Sequence, residues 1–335
     1  MARMSDVARA AGVSVTTVSH VVNDTRPVRA ETRRRVLAAI EETGFRRNAL
    51  ASALVHSRTR LLGLAVPTLS NPYFVALCHA MERRATSRGY GVVVRDAHDD
   101  QAVENAVIDA LLDWQVDGLA VAPAPGDEHQ ALDRALRQGT PLVLIDRQVP
   151  SFDCDQVAPE NVRSARGLAA HLFDLGHRDV GVLAGLAGLQ STRERLEGVQ
   201  DASRGVEGAR LRVLDGDSTA EGGYAATSTL LADPGSRPSA LISLNNAMTI
   251  GAMRAVRSAG LRVPADVALV CFDDFDWADA FEPRLTVVAQ DVESMGSTAI
   301  DLLIRRIEGD TDTPAQILRT PTEYRHRNSC GCTQD

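Results

Sequence analysis

The sequence predicts an α/β protein: a small N-terminal three-helix headpiece of helix-turn-helix form, a short linker helix, and a larger core of two subdomains built on parallel sheets. Three observations predict it. From Thr59 onward, short apolar segments alternate with helical stretches of roughly 10–15 residues, the pattern of parallel strands covered by helices. Before Arg60 the periodicity is helical throughout and is broken by glycine. Charge divides at the same place: through Arg60 there are 11 arginines against 5 acidic residues, and beyond it 25 against 39, within a net charge of −8. The basic front is suited to a polyanion, and the acidic remainder keeps the chain soluble.

In the front segment, Val7, Ala8 and Ala11 recur at helical spacing from Asp6. Gly12 interrupts them, and Ser14 is placed to cap a second helix whose apolar side comprises Val15, Val18, Val21 and Val22. A third helix is expected over about 30–42, with Val36, Leu37 and Ile40 inward, Glu31 to Arg35 largely outward, and an end before Gly44. Thr16, Thr17, Ser19 and His20 then line the second helix. Such a helix fits a DNA major groove, where Thr and His hydrogen-bond to base edges and Val touches a thymine methyl. A generic three-helix bundle is the plainer alternative, disfavoured by the charge division.

Next, Asn48 can cap a short helix carrying Ala49, Leu50, Ala53 and Leu54. So short a helix needs a partner, either a second subunit or DNA. Leu54 suits a minor-groove wedge or, more simply, packing against the following domain.

In the core, "LLGLAVP", "GYGVVVRDA", "VDGLAVAP", "TPLVLIDR", "HRDVGVLAG", "ARLRVLDG", "SALISLNN" and "DVALVCFDD" read as strands. Helices are expected over about 74–88, 102–114, 161–175, 220–232 and 247–259. The first subdomain gives way to the second near Pro159, and the chain crosses back around Arg284 to Gln290. A cleft between them is the natural small-molecule site, because strand C-termini deliver residues there. Those termini are polar in an ordered way: Asp146 and Arg147, Asn245 and Asn246, Asp273 and Asp274. Carboxylates and amides meeting at a cleft suit the hydroxyls of a small polar molecule, and Arg195 adds a fork of donors.

Other classes find little support. There is no long apolar run and no basic-then-apolar leader, so neither a membrane partner nor an export signal is expected and the cytoplasm is the default. No P-loop, GxSxG elbow, HExxH or dinucleotide GxGxxG is present, which argues against an enzyme and against a cofactor. No metal is expected: Asp273 and Asp274 lack companion ligands in sequence, and His171 and His177 flank a helix end without forming a ligand set. Cys78, Cys154 and Cys271 are scattered, and Cys330 and Cys332 read as a loose pair in a polar tail.

The whole chain resembles the lactose-repressor (LacI/GalR) family of bacterial transcription regulators. The resemblance is carried by "DVARAAGVSVTTVSHVVN", "GLAVPTLSNPYF", "HL..LGHRDVGVLAG", "G..VPADVALVCFDD" and "PRLTVVAQD....G..A...L", in order over roughly Ser5 to Cys330. It implies a headpiece over 1–47, a hinge helix and linker over 48–59, and a periplasmic-binding-protein-like core over 60–328. Within the core, one subdomain takes about 60–158 and 286–318 and the other about 161–283 and 319–328, leaving a polar tail over 329–335.

For the headpiece, the resemblance implies that Val15, Thr16 and His20 face bases while Ser14, Thr17, Ser19 and Asn23 are available to phosphates. Leu54 matches the family's intercalating hinge leucine, and Arg33, Arg46 and Arg47 are backbone contacts on charge grounds. Ser52 and Val55 stand where relatives often carry Arg or Lys, which weakens phosphate attraction beside Leu54. For the cleft it implies Ser70, Tyr73, Phe74, Asp146, Ser191, Arg195, Asn246 and Asp273 as effector-binding residues. The family's Asn-Asp pair is Asn245-Asn246 here, and the aromatic usual near Ser218 is missing, with Trp277 as its candidate substitute. The expected protein is a repressor of a sugar uptake or catabolic operon. It is expected to bind double-stranded, near-palindromic operator DNA as a homodimer and to respond to a small-molecule effector, a sugar or sugar derivative. The alternatives are a corepressor-dependent, purine-repressor-like regulator, a solute-binding module without operator function, an enzyme on the same core, and a nonspecific architectural DNA binder. The absence of leucine heptads after Thr320 favours a dimer over a tetramer.

Overall fold

A computed structural model describes residues 2–23, 26–45, 58–126 and 128–332. The chain divides into two compact units at Thr59/Arg60. In the first, α1 spans Met4–Ala11, α2 Val15–Asn23 and α3 Ala30–Thr43. Gly12 takes the left-handed conformation (φ 62°) that closes α1, and the Arg35 guanidinium of α3 donates to the carbonyls of Ala11 and Gly12, both at 3.1 Å. Ser14 caps α2 as expected, its Oγ accepting from the Thr17 amide at 3.1 Å.

The core of this unit comprises Val7, Ala8, Ala11, Val18, Val21, Val36 and Ala39. Two expectations fail here. Val15 is 47% and Leu37 48% exposed. At about 100° per residue, Val15 sits about 60° round α2 from Val18, on the side away from Val21, and Leu37 sits about 100° from Val36. Both fall off the stripes that face the neighbouring helices. The expected hinge helix, with Leu54, Ser52 and Val55, and also Arg46 and Arg47, falls within 46–57, outside the described residues.

The second unit carries two six-stranded sheets. Its elements run β1 Leu61–Val66, α4 Pro72–Ser87, β2 Gly91–Asp96, α5 Gln101–Asp113, β3 Gly118–Val121, α6 Gln130–Arg137, β4 Leu142–Ile145 and β5 Asp155–Pro159. They continue α7 Val162–Asp174, β6 Asp179–Ala184, α8 Gln190–Ser203, β7 Arg210–Asp215, α9 Ala220–Leu231, β8 Ala240–Ser243, α10 Asn246–Ser258, β9 Ala268–Phe272 and β10 Thr286–Gln290. The last are α11 Val292–Ile307, β11 Ile317–Thr320 and β12 Thr322–Arg325. The sheet orders are β11-β5-β4-β3-β1-β2 and β12-β10-β9-β8-β6-β7. All pairings are parallel except β10 with β12. The inner strands are buried on both faces and, apart from β5 with its buried Asp155 and Gln156, largely apolar, as parallel sheets under helices require.

The chain passes between the halves three times: after Pro159, after Gln290, and between Thr320 and Thr322. The first and third passages lie side by side, with the Glu160 amide donating to the Thr320 carbonyl at 2.9 Å. The return therefore falls later than expected. Residues 286–290 belong to the second sheet, because β10 pairs with β9 and β12, and Arg319 and Thr320 belong to the first, because β11 pairs with β5.

The expected polar tail over 329–335 is also corrected at its start. Ser329 and Cys330 are buried, and Ser329 is woven into the second sheet: its carbonyl accepts from the Leu269 amide and its hydroxyl donates to the Leu269 carbonyl. Among the described residues, no helix is long and apolar enough to cross a membrane.

Candidate functional site: a polar helix edge and an acid-lined cleft

In α2, burial of Val18 and Val21 leaves Ser14, Val15 and Thr16 exposed, with Thr17, Ser19 and His20 half-buried beside them. Ser14 and Thr17 share a hydroxyl contact of 2.8 Å at the start of the helix. The exposed edge thus offers hydroxyls and one branched apolar side chain, a chemistry that suits base edges and phosphates. Arg33 is exposed on α3.

The cleft in the second unit lies between the strand C-termini of its two sheets. It is a narrow cavity of about 70 Å³, lined by residues of both sheets that include Tyr73, Asp146, Arg195, Asn246, Asp273 and Gln290. Asp146 and Asp273 hold equivalent positions just after β4 and β9, and both adopt left-handed backbone (φ 63° and 77°). Such backbone is uncommon outside glycine and clusters at functional sites; Asp tolerates it better than most residues.

A partly buried polar chain joins the two acids. The Tyr73 hydroxyl donates to Asp146 at 2.6 Å and lies 2.9 Å from Gln290 Oε1, while the Gln290 amide donates to Asp273. Burial raises the Asp273 carboxyl above the ordinary range, against the opposing pull of the Arg195 cation. Burial also raises the Tyr73 phenol, helped by the neighbouring carboxylates.

Across the cleft, the Asn71 and Asn246 amides bond each other at 2.9 and 2.7 Å. Asn71 also caps α4 through the Tyr73 amide, as Asn245 caps α10 through the Met248 amide. Arg195 stacks over Phe272 at 3.8 Å and donates to the Leu244 carbonyl and to Asn161 Oδ1, both at 2.8 Å. Asn161 in turn donates to Glu194, which is ion-paired with Arg319 of β11. A relay, buried through Asn161 and Glu194, therefore runs from the cleft wall to Arg319 of β11, beside the third passage between the halves.

Of the cleft residues expected from sequence, Tyr73, Phe74, Asp146, Ser191, Arg195, Asn246 and Asp273 come together. Ser70 does not: it is exposed, hydrogen-bonded to Thr68, and lines the outer recess beyond Asn71. Trp277 does not either. It stacks on Phe275 and borders a separate groove with Met253 and Val263, so it supplies no aromatic wall to the cleft. Sequence reasoning missed Asn71, Asp99, Thr192 and Gln290 as lining residues. Gln290 was discoverable, since it ends a "TVVAQ" strand as the two acids end theirs.

Comparison with known proteins places both units. Residues 3–48 match the family described as bacterial regulatory proteins, lacI family, and residues 169–330 match a periplasmic binding protein-like domain. Over 94% of its length the chain is 35% identical to the HTH-type transcriptional regulator PtxS of Pseudomonas plecoglossicida, covering 92% of that protein. It is 33% identical to the ribose operon repressor of Escherichia coli K12 over 96% of this chain and 98% of the relative. Among solved structures, the lac repressor dimer bound to operator and the anti-inducer ONPF matches with a TM-score of 0.86 at 29% identity, over 98% of this chain and 99% of that one. The chain belongs to the LacI/GalR family of bacterial helix-turn-helix transcriptional regulators, proteins that carry no catalytic activity.

Proposed function

We propose that this regulator represses a sugar uptake or catabolic operon, binding a near-palindromic operator in double-stranded DNA as a homodimer and releasing or engaging it as a sugar-like effector fills the cleft. The observation that carries the DNA half is the exposure of Val15 and Thr16 on a helix whose opposite face is buried. Val15, Thr16 and His20 are the base readers. Ser14, Thr17, Ser19, Asn23, Arg33, Arg46 and Arg47 take the phosphates, and Leu54 wedges the central step. Support comes from the operator-bound lac repressor dimer, a solved structure that this chain resembles over nearly its full length.

The cleft half rests on its acceptors and amides. Asp146 and Asp273 each offer a carboxylate to vicinal hydroxyls, and Asn246, Gln290 and Arg195 supply donors. Ligand sites are commonly roughly 300–1,000 Å³, well above the 70 Å³ of this cavity, so a sugar enters as the halves part and the Asn71–Asn246 bridge opens. An effector that binds the parted and closed forms unequally shifts DNA affinity by linkage.

The test is capture of sheared DNA from the source organism by the full-length protein at physiological salt. A compact near-palindrome, lost in Thr16→Ala and His20→Ala, with retention altered by one of a panel of sugars, is the expected result. Diffuse, salt-sensitive retention that both variants share overturns the operator reading.

A further inference from the structure

Away from the cleft, four side chains converge where the end of the chain meets α7. His171 projects from the last turns of α7, His326 follows β12, and Cys330 and Cys332 flank Gly331. One ligand atom from each lies within 4.8 Å of all the others. His326 Nε2 is 3.2 Å from Cys330 Sγ, and Cys332 Sγ is 3.5 Å from His171 Nε2. Gly331, at φ 87°, turns the chain so that both thiols meet the histidine pair. The imidazoles lie edge to face at 5.1 Å, and Tyr324 packs against His171 at 5.6 Å, which restrains their rotation.

The donor set and its spacing are those of a structural zinc centre. A tetrahedron with zinc–sulfur bonds of about 2.3 Å and zinc–nitrogen bonds of about 2.0 Å has edges of roughly 3.3–3.8 Å. The two hydrogen-bonded pairs already stand at or near that separation, and since no pair exceeds 4.8 Å the others need to contract by at most about 1–1.5 Å. Two thiolates with two imidazoles favour a borderline-soft ion over magnesium or calcium. The plainer account is a packed Cys–His cluster held by weak sulfur hydrogen bonds.

We propose that His171, His326, Cys330 and Cys332 form a mononuclear Zn²⁺ site that fastens the chain end to α7. The spacing H-x3-C-x-C supplies three ligands locally, and the fold supplies the fourth from across the second subdomain. Binding of the ion releases the thiol protons to solvent and leaves the metal's oxidation state unchanged. Because α7 starts at the first passage between the halves and β12 at the third, the ion would tie together the segments that leave both.

The test uses reduced, chelator-treated full-length protein, titrated with Co²⁺ and then Zn²⁺. Expected are one Co²⁺ per chain, the intense visible absorption of a tetrahedral site, a near-ultraviolet thiolate charge-transfer band, and displacement by one equivalent of Zn²⁺. His326→Gln, at an exposed position, is expected to weaken Zn²⁺ about tenfold or more, and Cys332→Ser to diminish the charge-transfer band, with both variants matching the parent in circular dichroism. Substoichiometric Co²⁺, absence of the charge-transfer band, or identical binding by the parent and His326→Gln overturns the proposal and leaves a packing cluster.

Discussion

The Asn71 and Asn246 amides exchange hydrogen bonds of 2.9 and 2.7 Å across the cleft. Asn71 stands at the head of α4 beside the first sheet, and Asn246 opens α10 beside the second. An aspartate at position 246 would offer acceptors alone, whereas the amide both gives and receives, so the reciprocal latch needs an amide at both positions.

Asn246→Ala removes the latch while leaving Asn245 to cap α10. Two neutral hydrogen bonds contribute about 1–3 kcal/mol together, so opening of the cleft becomes about 5- to 150-fold more frequent. Hydrogen exchange at the amides around Asn71 in the ligand-free protein measures this. Unchanged exchange would show that the latch does not hold the halves.

In α2, Val15 and Val18 separate recognition from stability. Val18→Ala empties part of a sealed core and costs about 1–3 kcal/mol in thermal unfolding. Val15→Ala leaves the melting temperature within about 1 °C of the parent, yet weakens binding to the selected operator by about 1 kcal/mol or more at the contacted base. Equal melting shifts for the two would contradict the exposed placement of Val15.

Glu194 titrates with a sign that its partners fix. Burial opposes its ionisation, but the bonds from Arg319, Asn161 and Gln190 outweigh burial and hold its carboxyl below the usual value of 4.5. Its contribution to stability is present above pH 4.5 and is lost as pH falls through the lowered folded value. Glu194→Gln should therefore be less stable than the parent at pH 7, with the gap closing in acid. Denaturant midpoints at pH 7 and pH 3 decide it; a gap that persists undiminished at pH 3 contradicts the ion pair's role.

Asp273 carries the opposite sign. Burial raises its folded pKa above the ordinary 3.8, so the stabilisation associated with its bound proton is complete below 3.8 and fades as pH rises through the raised value. Asp273→Asn keeps an acceptor for Gln290 and for the Asn246 amide without the buried charge. The expected variant is at least as stable as the parent at pH 7 while its response to the effector is lost. Calorimetry paired with effector titration checks both, and a marked loss of stability would contradict the raised carboxyl.

The sequence carried most of the fold because its signals were periodic. Eight strands and five core helices stood out as apolar runs or amphipathic stretches between glycines. The strands β5, β10, β11 and β12 did not: "DQVAP" and "TEYR" are polar, and the pairings of β5 with β11 and of β10 with β12 bring together segments that are far or irregularly spaced in sequence. Asp146 and Asp273 were legible as strand ends. The Asn71 latch was not, because its partner lies 175 residues away. Trp277 misled for the related reason that nearness in sequence to Asp273 did not reveal which side of the second sheet its ring would cover.

The triple passage between the halves also governs how the protein is made. The first sheet waits for β11 and the second for β12, at Ile317–Thr320 and Thr322–Arg325, so neither can complete its edge until the preceding strands have all left the ribosome. The headpiece, built from contiguous local helices, has no such wait. Completion of both lobes therefore falls to two adjacent strands, β11 and β12, which close the first and second sheets together.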